Sequence, residues 1–433
     1  SIANIHRSKK KRLVIIGGGF AGMRLAKRSL KSGMQVVVID KNNYHQFQPL
    51  FYQVATAGLE PSSISFPLRK VFHRQKGDIH FRMAALEKVN KDKNIVETDI
   101  GYLEYDYLVI ATGVSTNYFG LENIHKHAVP MKTVSEAIYL RNRVLKNFEE
   151  ALNHVNESEI NALMNVIVVG GGPTGVELAG ALAEMKKYIL PKDYPELDFS
   201  KMQIRLFEAS DRLLAGMSDK SGCKALKYLQ KLDVEVKLNT PVSDYDGKTA
   251  ATPDSEYVAK TLIWAAGVSG RQINGIPEDA WVKNNRIKVD EFNRLEGSEN
   301  IFAIGDIAYM ETANYPQGHP QVAQVAIQQA DLLSGNFRKQ QSGKSWRPFR
   351  YKDKGSLATI GRKLAVADLP YLHLGGFTAW ILWLLVHLMA IVGVRNRLFI
   401  FLNWMWNYIT YDQSLRLLIR PKIFKYNDMT EQE

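Results

Sequence analysis

The sequence predicts an α/β chain of two Rossmann-like dinucleotide-binding domains followed by a C-terminal amphipathic helical module, and three observations predict it. A glycine-rich GxGxxG turn occurs at Gly17-Gly18-Gly19-Phe20-Ala21-Gly22 and again at Gly170-Gly171-Gly172-Pro173-Thr174-Gly175. Each copy follows a short apolar stretch and opens a helix-forming one, the local pattern of a βαβ unit. Beyond about Phe349 the composition turns aromatic and aliphatic, which marks a separate unit.

In chain order, residues 1–11 carry Lys9, Lys10 and Lys11 but no apolar run, so they read as a disordered basic tail and not as a secretory signal. Leu13-Val14-Ile15-Ile16 then reads as a strand entering the first turn, with a helix to about Ser32 and a second strand over 35–39 ending in Asp40. Residues 81–104 alternate charged and apolar side chains as hairpins do, and 107–111 form an apolar strand closing on Thr112-Gly113. Residues 133–155 read as an amphipathic connecting helix. The second copy runs from a strand over 165–169 through its turn and helix to a strand over 203–207 ending in Glu208. Between them, 188–201 contains Pro191 and Pro195 and reads as a surface loop outside the core. A strand over 261–265 meets Ala266-Gly267, one over 300–304 meets Gly305-Asp306, and a long helix follows over 320–333, begun by Pro320. The expected division is a first dinucleotide domain from 12–162 and 286–348, a second over 163–285, and a membrane-anchoring region over 349–433.

Each glycine of the turn has a task. The first permits the tight bend, the second lets backbone N–H groups approach a pyrophosphate, and the third allows close packing of helix on strand. The helix N-terminus then faces the phosphates with its positive dipole end. Asp40 and Glu208 end the second strands, where a carboxylate accepts hydrogen bonds from ribose hydroxyls and repels a 2′-phosphate; NADH is therefore expected over NADPH.

Net charge is +12, with basic clusters at Lys9–Arg12 and at Arg416, Arg420, Lys422 and Lys425, which implies an anionic partner surface. No zinc-ligand spacing or basic–aromatic repeat points to nucleic acid, whereas an apolar tract lies beside the second cluster, so lipid headgroups are favoured. The single Cys223 excludes a disulfide framework and a CxxC redox pair, and no metal site is visible.

Residues 377–394 are nearly uncharged and rich in tryptophan, at the border of the length needed to span a bilayer. Asn403, Asn407, Thr410 and Ser414 then make a polar stripe on an otherwise apolar helix, with Arg395 and Arg397 before it and Arg416 and Arg420 after it. Such a cation-flanked amphipathic pair suits anchoring in the membrane plane better than crossing it. A dimer interface burying the same tryptophans is compatible with this. His387 reads as a satisfied core or interfacial histidine.

Two dinucleotide folds in series, with Ala111-Thr112-Gly113 and Gly305-Asp306, resemble the glutathione-reductase-like flavoproteins. Within them, Ala323-Gln324-Val325-Ala326-Ile327-Gln328 and the stretch 44–55 resemble type II NADH dehydrogenase, the single-subunit NADH:quinone oxidoreductases. The resemblance implies non-covalent FAD on Gly17, Gly19, Phe20, Gly22, Asp40, Lys41, Thr112, Gly113, Gly305, Asp306, Ala323 and Gln324. It implies NADH on Gly170, Gly172, Thr174, Gly175, Glu177, Glu208, Ala266 and Gly267, with Glu177 against the reacting rings. Gln324 and Gln328 lie four apart on one helical face, where amides would donate to the carbonyls of a quinone, ubiquinone or menaquinone. The implied activity is hydride transfer from NADH to flavin N5 and then reduction of a membrane quinone in a respiratory chain, without proton pumping. The resemblance also implies a homodimer and a peripheral location on the cytoplasmic face of a bacterial inner membrane or the equivalent organellar face. A ferredoxin- or rubredoxin-type NADH reductase would leave the C-terminal tract unexplained. An NADH-binding flavoprotein that signals through a partner is separated from the enzyme by turnover with a quinone.

Overall fold

The computed structural model describes residues 1–73, 75–410 and 415–418. Five parallel strands make the first sheet, in the order Ile301–Ala303, Tyr107–Ile110, Arg12–Ile16, Gln35–Asp40, Ile79–Met83. The central strand is buried along its whole length because helical residues such as Leu25 and Phe337 pack on one face and Val89, Val96 and Leu103 of the antiparallel strands over 86–104 on the other. Helix α1 (Phe20–Ser29) and helix α2 (Phe51–Ala55) belong to this first half. Helix α3 (Val134–Ala151) begins at a capping box in which Thr133 Oγ1 accepts from Glu136 N and the Glu136 carboxylate accepts from Thr133 N.

A second five-stranded parallel sheet repeats the first, in the order Val129–Pro130, Thr261–Trp264, Val166–Val169, Ile204–Phe207, Val234–Lys237. Its edge strand is drawn from chain before residue 163, so the two sheets interleave more than a cut at that point allows. Helix α4 (Pro173–Tyr188) leaves its glycine turn and helix α5 (Asp219–Lys231) packs nearby. Helix α6 (Ala323–Gln341) returns to the first half, where Asp331 takes two hydrogen bonds from Arg24 of α1, at 2.7 and 2.9 Å.

Four expectations are corrected. Residues 1–11 are not a disordered tail: Ile2 and Ile5 are buried with Val89, Val96 and Leu103, and Ile2 N donates to Tyr102 O at 2.8 Å. The insertion 188–201 is not a surface loop, since Ile189, Leu190, Tyr194 and Phe199 are buried and both aromatic rings contact Phe148 of α3. The helix expected over 320–333 starts at Ala323 after an extended Val322 and runs on to Gln341. Finally, the C-terminal region is not helical throughout: an antiparallel sheet of Ser356–Gly361, Leu364–Leu369 and Leu372–Gly375 precedes its helices.

That sheet docks on the second domain. A Cβ at Gly180 of α4 would lie 1.6 Å from Ile360 O, so helix and strand touch backbone to backbone. Asp368 accepts from Ser218 N at 2.6 Å, from Ser221 Oγ at 2.7 Å and from Ser218 Oγ at 2.9 Å, fixing the sheet to the start of α5. Helix α7 (Phe377–Ala390) and helix α8 (Val394–Thr410) follow, parted by a break at 391–393.

The polar stripe of α8 points inward. Asn396 donates to Ser62 O and Ser63 O, Asn407 donates to Gly58 O, and Trp404 Nε1 donates to Gln53 Oε1 at 2.8 Å. Leu398, Phe399, Trp406 and Ile409 face outward, with Ile409 71% exposed. An ordinary surface helix has the opposite polarity. Ser414, Arg420, Lys422 and Lys425 lie outside the described residues. Among those described, no helix is long and apolar enough to cross a membrane.

Candidate functional site

The two glycine turns have the same geometry. A Cβ at Gly17 (φ +109°) would meet Ala111 O at 2.2 Å, and one at Gly170 (φ +114°) would meet Ala265 O at 2.6 Å. At the third glycines, Gly22 and Gly175, a Cβ would lie 1.8 and 1.9 Å from the carbonyl of the first glycine of the same turn. The middle glycines, Gly19 and Gly172, have nothing within 4 Å, leaving open space at the mouths of α1 and α4 where a pyrophosphate would lie. The acids match too: Asp40 accepts from Gly18 N at 2.6 Å and Glu208 from Gly171 N at 2.5 Å. Burial raises the Asp40 carboxyl, and the Gly18 hydrogen bond opposes that shift.

Around the first turn, Thr112 and Gly113 follow the strand beside it, and Phe20 packs edge-on against His45 and Phe47. Gly305 N donates to Gln329 Oε1 at 2.7 Å, and burial pushes the adjacent Asp306 carboxyl up against the pull of Lys132 and Arg286. Lys41 follows Asp40 in an exposed turn. Around the second turn, Ala266 and Gly267 follow the strand Thr261–Trp264, and Thr174 lies in the first turn of α4.

One turn further along α4, Glu177 forms part of the wall of an apolar cavity of about 520 Å³ enclosed by α2, α4, α7, α8 and the C-terminal sheet. Trp380, Trp383, Leu384, Leu388 and Trp404 are among the residues that line it. Glu177 is only 8% exposed and burial pushes its carboxyl up to about 8, opposed by a hydrogen bond from Thr359 N at 3.2 Å and by the nearby Trp383 indole. That indole N–H closes no hydrogen bond of good geometry.

Residues 11–330 match the family model described as pyridine nucleotide-disulphide oxidoreductase, and 354–410 match the NDH2 C-terminal domain. A type II NADH:quinone oxidoreductase of Mycobacterium tuberculosis is 32% identical over 92% of this chain and 88% of its own length. The chain belongs to the type II NADH:quinone oxidoreductase family. A yeast member, the external NADH-ubiquinone oxidoreductase 2 of Saccharomyces cerevisiae mitochondria, is 30% identical over 92% of this chain and 80% of its own. The structure of NDH2 from Plasmodium falciparum in complex with NADH shares the fold, with a TM-score of 0.87 and 23% identity, covering 95% of this chain and all (100%) of that one.

Members of this family bind FAD and NADH, and the duplicated turns fit both: each offers open space at its middle glycine and an acid bonded to the turn. Gln324 and Gln328 are placed differently from expectation. Gln324 Nε2 donates to Gly355 O at 3.0 Å and Gln328 Nε2 to Lys352 O at 2.9 Å, while their carbonyls accept from Lys354 N and Lys352 N. Both amides thus hold the 352–355 backbone, and neither glutamine lines the apolar cavity. Ala323 starts α6 beside them. His387 Nδ1–H donates to Trp383 O, 2.8 Å away, and burial lowers it to about 4, so it is a neutral core histidine.

Three site residues escaped the sequence reading. Tyr52, Glu184 and Trp383 line the cavity from three different elements. Tyr52 lies in the stretch 44–55 and Trp383 in the Trp-rich tract over 377–394, both singled out for other reasons, whereas the trace of Glu184 is its place seven residues after Glu177, near the same face of α4.

Proposed function

We propose that the apolar cavity receives the quinone and that Glu177 protonates it. The chain is a FAD-dependent NADH:quinone oxidoreductase of the respiratory-chain type, passing hydride from NADH to the flavin and electrons on to quinone. When bound, FAD supplies the hydride-accepting and electron-releasing chemistry. Gly17, Gly19, Gly22 and Asp40 would hold its adenosine end, with Phe20, Lys41, Thr112, Gly113, Gly305, Asp306, Ala323 and Gln324 along it. Gly170, Gly172, Thr174, Gly175, Glu208, Ala266 and Gly267 would hold NADH, and α4 aims Glu177 from that nucleotide turn into the cavity. Gln324 and Gln328 act in this reading by fixing the 352–355 backbone rather than by donating to quinone.

The observation that carries the proposal is a cavity walled largely by tryptophan and aliphatic side chains, with a buried carboxyl in that wall that burial pushes up to about 8. A lipid-soluble ring needs the first and its reduction needs the second. The outward apolar face of α7 and α8, with Arg395 and Arg397 at their junction, supports peripheral docking on an anionic bilayer. The reducing side, the cytoplasmic face of a bacterial inner membrane or its organellar equivalent, is the matching location. A homodimer presenting both such faces to one bilayer belongs to the same reading.

Purified protein carrying FAD should bleach with NADH under anaerobic conditions and regain its yellow colour on adding a short-chain quinone. Bleaching without recovery contradicts the quinone reading.

A further inference from the structure

A second acid faces the same cavity. Glu184 lies two turns beyond Glu177 on α4, about 10 Å further along the axis, and it too lines the apolar chamber. Its Oε1 accepts from Arg362 N at 2.6 Å, in the turn that joins the first two strands of the C-terminal sheet. Glu184 is half-buried where Glu177 is buried, so of the two it is the one that water reaches. Tyr52 of α2 is within electrostatic reach of both carboxyls. Its hydroxyl oxygen accepts from Gln53 Nε2 at 2.8 Å.

We propose that Glu184 is the outer member of a two-carboxyl proton line along α4 that reprotonates Glu177 across the cavity both acids line. This rests on the quinone reading of the cavity. The overall reaction, NADH + H⁺ + quinone → NAD⁺ + quinol, takes one proton from the medium per turnover, with both electrons coming from NADH through bound FAD. Glu177 gives its carboxyl proton to a quinone oxygen and is left as a carboxylate. Glu184 gives its proton to water entering the cavity, that water delivers a proton to the Glu177 carboxylate, and Glu184 recovers a proton from the medium. Burial raises Glu184 above the usual carboxylate range, as it raises Glu177. Besides Tyr52 and Glu177, the titratable and charged groups facing this part of the cavity are Tyr188 of α4, Arg362 of the sheet turn and Tyr408 of α8. Arg362 opposes the rise at Glu184. Glu184 acts through Glu177 and is not itself a catalytic residue.

Glu184→Gln keeps the shape and removes the proton. Anaerobic rapid mixing should show bleaching by NADH at the wild-type rate, quinone-driven recovery slowed by about five-fold or more, and a larger solvent deuterium isotope effect on recovery. Glu184→Asp should regain most of the loss. Recovery at the wild-type rate with an unchanged isotope effect would overturn the proposal, and so would equal slowing of bleaching and recovery, which marks a structural role. If the wild-type protein itself fails to recover with quinone, the failure lies in the quinone reading and not in Glu184.

Discussion

The Glu177 carboxylate accepts a hydrogen bond from the backbone N–H of Thr359 at 3.2 Å, joining the nucleotide-binding helix to a strand 182 residues further along the chain. The contact does two things. It seals the inner end of the cavity with the C-terminal sheet, and it holds in apolar surroundings a carboxyl that would otherwise be hydrated and ionised.

Because burial pushes Glu177 up to about 8, its proton is present below that pH and lost as pH rises through it. Quinone turnover should therefore be level below about pH 8 and fall above it. Glu177→Gln should remove that limb and lower quinone turnover by about a hundred-fold, a usual scale for losing a proton donor. A pH–rate profile of both proteins checks this. Stability should move with the same group: the unfolded carboxyl ionises first, so folding weakens between about 4.5 and about 8. Chemical denaturation across that range should show less pH dependence in Glu177→Gln.

Glu208 already bonds Gly171 and Ser210 through its two oxygens, fixing a negative charge at the end of its strand. Glu208→Gln should raise KM for NADH and narrow the preference over NADPH by about ten-fold, in the range expected for one charged contact. The ratio of kcat/KM for the two nucleotides measures it.

Gly180→Ala would place a methyl 1.6 Å from Ile360 O, which is backbone and cannot step aside. Loss of about 3 kcal/mol or more is expected from such overpacking. A thermal melt should fall by several degrees, and the C-terminal sheet should become open to protease before the rest.

Phe399 and Trp406 face outward from α8 and are not part of the cavity wall. Replacing both with Ser should cut sedimentation with anionic vesicles by about ten-fold or more, each large apolar side chain contributing about 1.5–3 kcal/mol when buried. Turnover with a water-soluble quinone should persist.

The paired turns were legible because everything they need is local: three glycines, an apolar strand before, and an acid ending the next strand. Glu208 stayed legible even with an insertion between helix and strand. What was hidden depends on partners far away in sequence. Ile2 and Ile5 sit among basic residues, and only the sheet formed by residues 86–104 turns them into core. The prolines of 188–201 suggested a loop, yet Phe148 of α3 gives Tyr194 and Phe199 a surface to bury. Spacing put Gln324 and Gln328 on one face but could not reveal the 352–355 backbone that occupies their amides. The α8 stripe was visible, but its direction was not, because Gly58, Ser62 and Gln53 that receive it lie about 340 residues earlier. Glu184 gave only a spacing, since its apolar surroundings are built by α2, α7 and α8 together.

Ala181 lies between the two acids on α4 and forms part of the cavity wall, so Ala181→Phe would fill the chamber without touching either nucleotide turn. Anaerobic rapid mixing of this variant, with its fold checked by thermal melting, measures bleaching by NADH and recovery with quinone separately. If quinone reacts in the cavity, bleaching keeps the wild-type rate while recovery slows by about ten-fold or more. Recovery at the wild-type rate in a folded, plugged protein would place the quinone elsewhere.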